Sequence, residues 1–154
     1  MTEILFYHLV VKPLEKALPQ LLERSLERGW NICLQTLTQE KCLALNEHLW
    51  THAGESFLPH GMAQDGDAEF QPIYLTDGTE NPNGAQIRFF VEGAQIAPAL
   101  AATPHPYERI VLMFDGNREA ELLDARAQWK ALKQTDATLY YFQQTEDGRW
   151  EKKA

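Results

Sequence analysis

The sequence predicts an α/β domain with a mainly parallel central sheet flanked by helices. Three observations carry that expectation. β-rich apolar runs alternate with segments whose apolar residues recur at three-four spacing, the order that builds parallel sheets through right-handed crossovers. The first run, Ile4–Val10, is almost continuously apolar, as suits a strand covered on both faces. The 154 residues suit a single core, because a chain of this length buries roughly 70% of its unfolded surface.

Each element follows from a local signal. After strand Ile4–Val10, Leu14, Ala17, Leu18, Leu21, Leu22 and Leu26 mark a helix from Pro13 to Arg28. Gly29 is its stop, and Pro19 is an awkward interior residue that kinks the helix or marks its true start. Asn31–Leu37 reads as a second strand, and Thr38 caps a helix running through Cys42, Leu45 and Leu49 to Trp50. Residues 51–71, rich in Gly, Pro and acids, read as a long irregular connection. Loops of that length are uncommon without a task. Pro72–Thr76 is a third strand, residues 77–84 a turn region, Ala85–Val91 a fourth strand and Ala94–Ala102 a short helix. Tyr107–Phe114 is a buried strand, Arg118–Lys133 the most regular helix and Thr138–Gln143 the last strand. The domain therefore spans residues 1–145, and the polar segment 146–154, apolar only at Trp150, is expected to end loosely packed.

Composition narrows the function classes. With 44% hydrophobic residues, four Trp, seven Phe and five Tyr, the chain has enough apolar area to fold alone. The N-terminal run carries Glu3 and His8 and ends at Lys12-Pro13, which fits neither a signal peptide nor a membrane span. A net charge of -8 argues against phosphate-driven binding of nucleic acid, so any service to DNA is expected to be indirect. Cys33 and Cys42 lack disulfide or metal-type spacing and read as reduced, buried thiols.

The signatures of chemistry are mostly missing. Val11-Lys12-Pro13 follows the first strand, with neither a dinucleotide nor a P-loop glycine pattern. Asp115-Gly116-Asn117 stands where open α/β sheets bind ligands, but such a turn also reads as a helix cap. His48 and His52 are four apart, yet no acid or third ligand has metal-site spacing, so they read as a fortuitous pair. Cys33 lies within a strand and is a poor nucleophile, and His8 reads as a satisfied core histidine.

Two segments stand out. Trp50 followed by Phe57-Leu58-Pro59-His60 places large apolar residues around a Gly/Pro-bounded loop, either as a satellite cluster beneath it or as an aromatic docking surface. In the helix Arg118–Lys133, Leu122, Ala125, Trp129 and Leu132 should face the sheet, leaving Arg126, Lys130 and Lys133 on a neighbouring stripe. This is the only concentrated run of positive charge along the sequence, and it suits either the helix macrodipole or an acidic peptide ending in a hydrophobic side chain and free carboxylate.

FYHL in the first strand, LNEHLW followed by ESFLPHG, NPNGAQ, and ARAQWKALK together resemble the chi subunit of the bacterial DNA polymerase III holoenzyme, from Phe6 to about Phe142. The resemblance implies a Rossmann-like three-layer domain with no cofactor, no metal and no active site of its own, in the cytoplasmic replication machinery. It implies a pocket for the acidic C-terminal tail of single-stranded-DNA-binding protein. There Arg126 and Lys130 pair with carboxylates, Trp129 walls a Phe pocket, Lys133 adds charge and Tyr141 borders it. It also implies that Trp50, Phe57, Leu58, Pro59 and His60 contribute to the surface binding the psi subunit, and through psi the clamp loader. Two readings compete with it. One is a nucleotide- or metal-dependent enzyme on the same fold, and the other an adaptor whose aromatic loop binds a repair helicase.

Overall fold

The computed structural model of the chain describes residues 2–51, 58–102 and 107–154. Its strands are β1 (Glu3–Leu9), β2 (Ile32–Gln35), β3 (His60–Met62), β4 (Ile73–Thr76), β5 (Ile87–Val91), β6 (Arg109–Asp115), β7 (Thr138–Gln144) and β8 (Trp150–Lys152). The helices are α1 (Leu14–Glu27), α2 (Gln39–Thr51), α3 (Ile96–Ala102) and α4 (Glu119–Leu132). The strands form one sheet in the order β3-β4-β2-β5-β6-β1-β7-β8. Every pairing is parallel except β7 with β8.

Side-chain alternation sends each central strand into two cores. Leu5, Leu9, Phe89, Val91, Val111 and Met113 pack beneath α1 and α2 with Leu18, Leu22, Leu45 and Leu49. Ile4, Phe6, Phe90, Ile110, Leu112 and Phe114 face the other way, against Ile96 and Ala99 of α3 and Ala125 and Leu132 of α4. Strands covered on both faces explain the continuous apolar runs, and the result is the expected three-layer α/β architecture.

The helix signals translate into specific bonds. Past α1, the N–H of Gly29 donates to the Leu26 carbonyl and that of Trp30 to the Ser25 carbonyl, a Schellman motif that places Gly29 at φ +80°. A side chain there would be strained. The Thr38 hydroxyl accepts the Lys41 N–H at 3.2 Å, the cap expected for α2. Pro19 lies inside an uninterrupted α1, so the Glu15 carbonyl, four residues earlier, receives no helical hydrogen bond from it. His48 of α2 donates its Nε2–H to that carbonyl at 3.1 Å. One half of the histidine pair thus mends the ladder that the proline interrupts.

Two expectations change. The connection 51–71 contains β3, whose three residues pair in parallel with Ile73, Tyr74 and Leu75. Segment 146–154 does not end loosely, because Trp150–Lys152 forms β8 on β7. Trp150 packs its ring on Tyr7 at 4.7 Å, and the Lys153 N–H donates to the Tyr141 carbonyl at 2.7 Å. Burial of one indole and the open hydrogen-bonding edge of β7 outweigh the segment's polarity.

Candidate functional site

The turn after the first strand, where α/β sheets hold phosphates, is filled by the protein's own groups. After β1, the backbone N–H groups of Val10, Val11 and Lys12 all donate to Gln144 Oε1, at 2.9, 3.0 and 3.1 Å. Consecutive N–H groups converging in this way make an anion nest. Here a neutral amide from β7 fills it. In the turn after β6, the Asn117 N–H donates to Asp115 Oδ1 and Asn117 Nδ2 to the Val10 carbonyl, so its polar atoms brace the turn. Helix α4 itself has Arg118 at its N-cap, with no side-chain cap bond. Between the carboxyl ends of β2 and β5, where adjoining helices lie on opposite faces, a cavity of about 400 Å³ opens beside Leu37 and Gly93. Glu92, Glu121 and Asp124 line it, while its cations Lys41 and Arg118 already pair with Glu92 and Asp115, both at 3.5 Å. Such a lining repels phosphate.

The other chemical candidates are equally plain. Both cysteines are buried, and burial pushes the thiols up, Cys33 to about 12 and Cys42 to about 11, far from thiolate formation. His52 lies outside the described residues, and among those described no three His, Cys, Asp or Glu side chains gather as a metal site.

On the opposite side of β1, the last helix and last strands build a trough. Leu122, Ala125, Trp129 and Leu132 face the sheet as their spacing requires. Gln128 is also buried, its Oε1 accepting the Ile96 N–H at the start of α3 at 3.0 Å. Trp129 stands edge-on to Phe6 at 5.1 Å and to Tyr141 at 5.6 Å between ring centres. Tyr141 also meets Phe114 at 6.1 Å. Lys133 places its ammonium 5.7 Å from the centre of the Trp129 ring. Trp129 and Tyr141 are half-buried, so these rings form a wall with a solvent-facing side.

His8 belongs to this trough and is not a plain core residue. Its Nδ1 lies 2.7 Å from the Tyr141 hydroxyl and its ring 4.8 Å from that of Phe114. Burial and then the Arg126 guanidinium push its pKa down, Asp115 acting the other way. Burial pushes the Tyr141 phenol up, with Arg126 opposing. Arg126 is therefore close enough to be felt by both rings, as the helical stripe suggests. Gly116 makes room for the imidazole: a Cβ there would lie 1.8 Å from His8 Nε2. Lys130, one turn beyond Arg126, is exposed and extends the basic edge. Periodicity within β1 could not reveal His8's setting, because its neighbours come from β6 and β7.

The loop candidates separate. Trp50 is 54% exposed at the end of α2. Its ring lies 4.1 Å from that of His60. His60 and Leu58 are buried, Leu58 in the α1–α2 core, so they support this surface and do not form it. The His60 ring nitrogens sit against the Leu58 and Asn46 carbonyls, locking the loop end to α2. Pro59 is half-buried, and Phe57 lies outside the described residues.

Fold and surfaces together define a Rossmann-like α/β domain whose first-turn anion nest is filled from within and whose α4 side carries a basic-aromatic trough. Residues 1–140 match the family model of the DNA polymerase III chi subunit, HolC, and the chain belongs to that family. It is similar to the probable DNA polymerase III subunit chi of Rickettsia prowazekii (strain Madrid E), with 29% identity over 117 residues, covering 75% of this chain and 71% of that protein. Members of this family are accessory subunits of the polymerase holoenzyme and serve DNA replication.

Proposed function

We propose that the protein is a non-catalytic adaptor of the cytoplasmic replication machinery that holds the acidic, Phe-terminated tail of single-stranded-DNA-binding protein in the α4 trough. The observation that supports this most is the half-buried wall of Trp129 and Tyr141, its rings edge-on at 5.6 Å, with the exposed Arg126 three residues before Trp129 on α4 and acting on Tyr141. Arg126 and Lys130 take the tail carboxylates, Lys133 adds long-range attraction, and Trp129 with Tyr141 walls the terminal ring. The exposed Trp50, with the buried Leu58 and His60 behind it, is proposed together with Phe57 and Pro59 as the surface for psi and thereby the clamp loader.

Calorimetry with the tail peptide tests the reading. Arg126→Ala should weaken binding roughly tenfold at low salt, the scale of one charge-assisted hydrogen bond. The difference should shrink above physiological salt, as a partly exposed charge is screened over ~8–10 Å. Absence of binding at low salt would sink the proposal.

His8 adds a pH signature. The folded protein depresses its pKa, so stability from this group is complete above its unfolded value near 6.5 and declines as pH falls below that. A bound carboxylate favours the imidazolium and reverses that bias. Tail affinity should therefore rise as pH is lowered from 7.5 to about 6, with proton uptake seen as a buffer-dependent binding enthalpy, and His8→Gln should flatten the slope.

A further inference from the structure

A second group of cations gathers on the α1 face, where reading along the sequence shows only scattered arginines. Between the C-terminal half of α1 and strands β1, β5 and β6 lies a cavity of about 190 Å³. Tyr7, Phe89 and Val111 line it together with Arg24, Arg28 and Arg109. Arg28 and Arg109 both approach the Trp30 ring, at 4.8 and 5.6 Å from its centre, which fixes their heads beside the cavity. Three guanidiniums gather here in a protein of net charge -8, and the ion pair that the described residues give them is Arg109 with Glu3 at 3.2 Å.

The donors here outnumber their acceptors. Among the described residues neither Arg24 nor Arg28 forms an ion pair. Arg109 Nε is buried without a hydrogen-bond partner. The half-buried Tyr7 makes no side-chain hydrogen bond among the described residues, so its hydroxyl is free to donate into the cavity. Burial pushes its pKa up while Arg109, Arg24 and Arg28 all act on it in the opposite sense, so the phenol sits among all three. The macrodipole at the end of α1 accounts for Arg24 and Arg28, but not for Arg109, whose Nε is buried without a partner beside the same cavity.

We propose that this cavity binds a phosphate monoester, its dianionic head on Arg24, Arg28, Arg109 and Tyr7 and its organic part against Phe89 and Val111. Three guanidiniums exceed what a single carboxylate neutralises, and the apolar wall exceeds what inorganic phosphate can use. The site lies on the sheet face opposite the α4 trough and stands independently of tail binding.

Phenyl phosphate, inorganic phosphate and benzoate serve as probes in a low-salt, phosphate-free buffer, followed by NMR of the arginine Nε–H and tyrosine ring signals. Phenyl phosphate should shift Arg109 and Tyr7 saturably, and more tightly than either other probe. Arg24→Gln, at an exposed position, and Tyr7→Phe, which keeps the ring stacked 5.2 Å from Phe142, should each weaken it several-fold, up to roughly tenfold, with unfolding midpoints little changed. The proposal is overturned if no probe gives a saturable shift, if benzoate binds as tightly as phenyl phosphate, or if both variants retain full affinity.

Discussion

Replacing Arg88 with Met should lower the unfolding free energy by about 3–5 kcal/mol, the scale of removing one partner from a buried charged network. Arg88 is fully buried in β5, and its guanidinium joins four parts of the fold. Nε and Nη2 donate to Gln35 Oε1 at 2.9 and 2.7 Å, and Nη2 to the Gly78 carbonyl at 2.9 Å. Nη1 donates to the Glu80 carbonyl at 2.9 Å and lies 3.3 Å from the Tyr107 hydroxyl. Methionine fills similar space but leaves these buried acceptors without donors, each costing about 1–3 kcal/mol. It also removes the cation that helps hold the Glu80 carboxyl below its ordinary range, where Thr76 and Tyr74 donate to it. For a domain of this length the midpoint of thermal unfolding should fall by roughly 10 °C. A variant within about 0.5 kcal/mol of the parent in urea titration, the range of an ordinary surface change, would contradict this account.

Arg88 also marks where sequence reading stops. In Ala85–Val91 it is a lone charge in an apolar strand, and its partners come from β2, the 77–84 turn and Tyr107. What was legible rested on local chemistry: the Gly29 stop, the Thr38 cap, the apolar runs and the inward face of α4. What was not legible depended on distant chain segments. Strand β3 is three residues around Gly61, with no periodicity to read, and forms because β4 offers an edge. Strand β8 is polar, and Tyr7 beneath Trp150 together with the edge of β7 gives it a seat. The missing glycine loop was visible, but not that Gln144 closes the nest in its place. The α4 stripe indicated Arg126 and Trp129, whereas His8 and the Arg24–Arg28–Arg109 cluster appear only once β1, α1 and β6 are brought together.

Within the α4 trough, Trp129→Ala should have the largest effect on tail binding, at least about 2 kcal/mol or roughly 30-fold, as for a tryptophan at the centre of an interface. The indole touches Phe6, Tyr141 and Lys133, so its loss removes one wall, takes a ring contact from Tyr141 and leaves the Lys133 ammonium without its ring. Part of the loss is structural: stability should drop by about 2 kcal/mol, below the 3–5 of a fully buried aromatic because the ring is half-buried. Trp129→Tyr separates the two contributions, since it keeps an aromatic face against Phe6 and should retain most of the affinity. Salt separates wall from charge. The Trp129→Ala deficit should persist at high ionic strength, where apolar burial is unscreened, whereas the Arg126→Ala deficit should fade. Equal deficits for both variants at every salt concentration would mean that the tail does not seat its terminal ring against this wall.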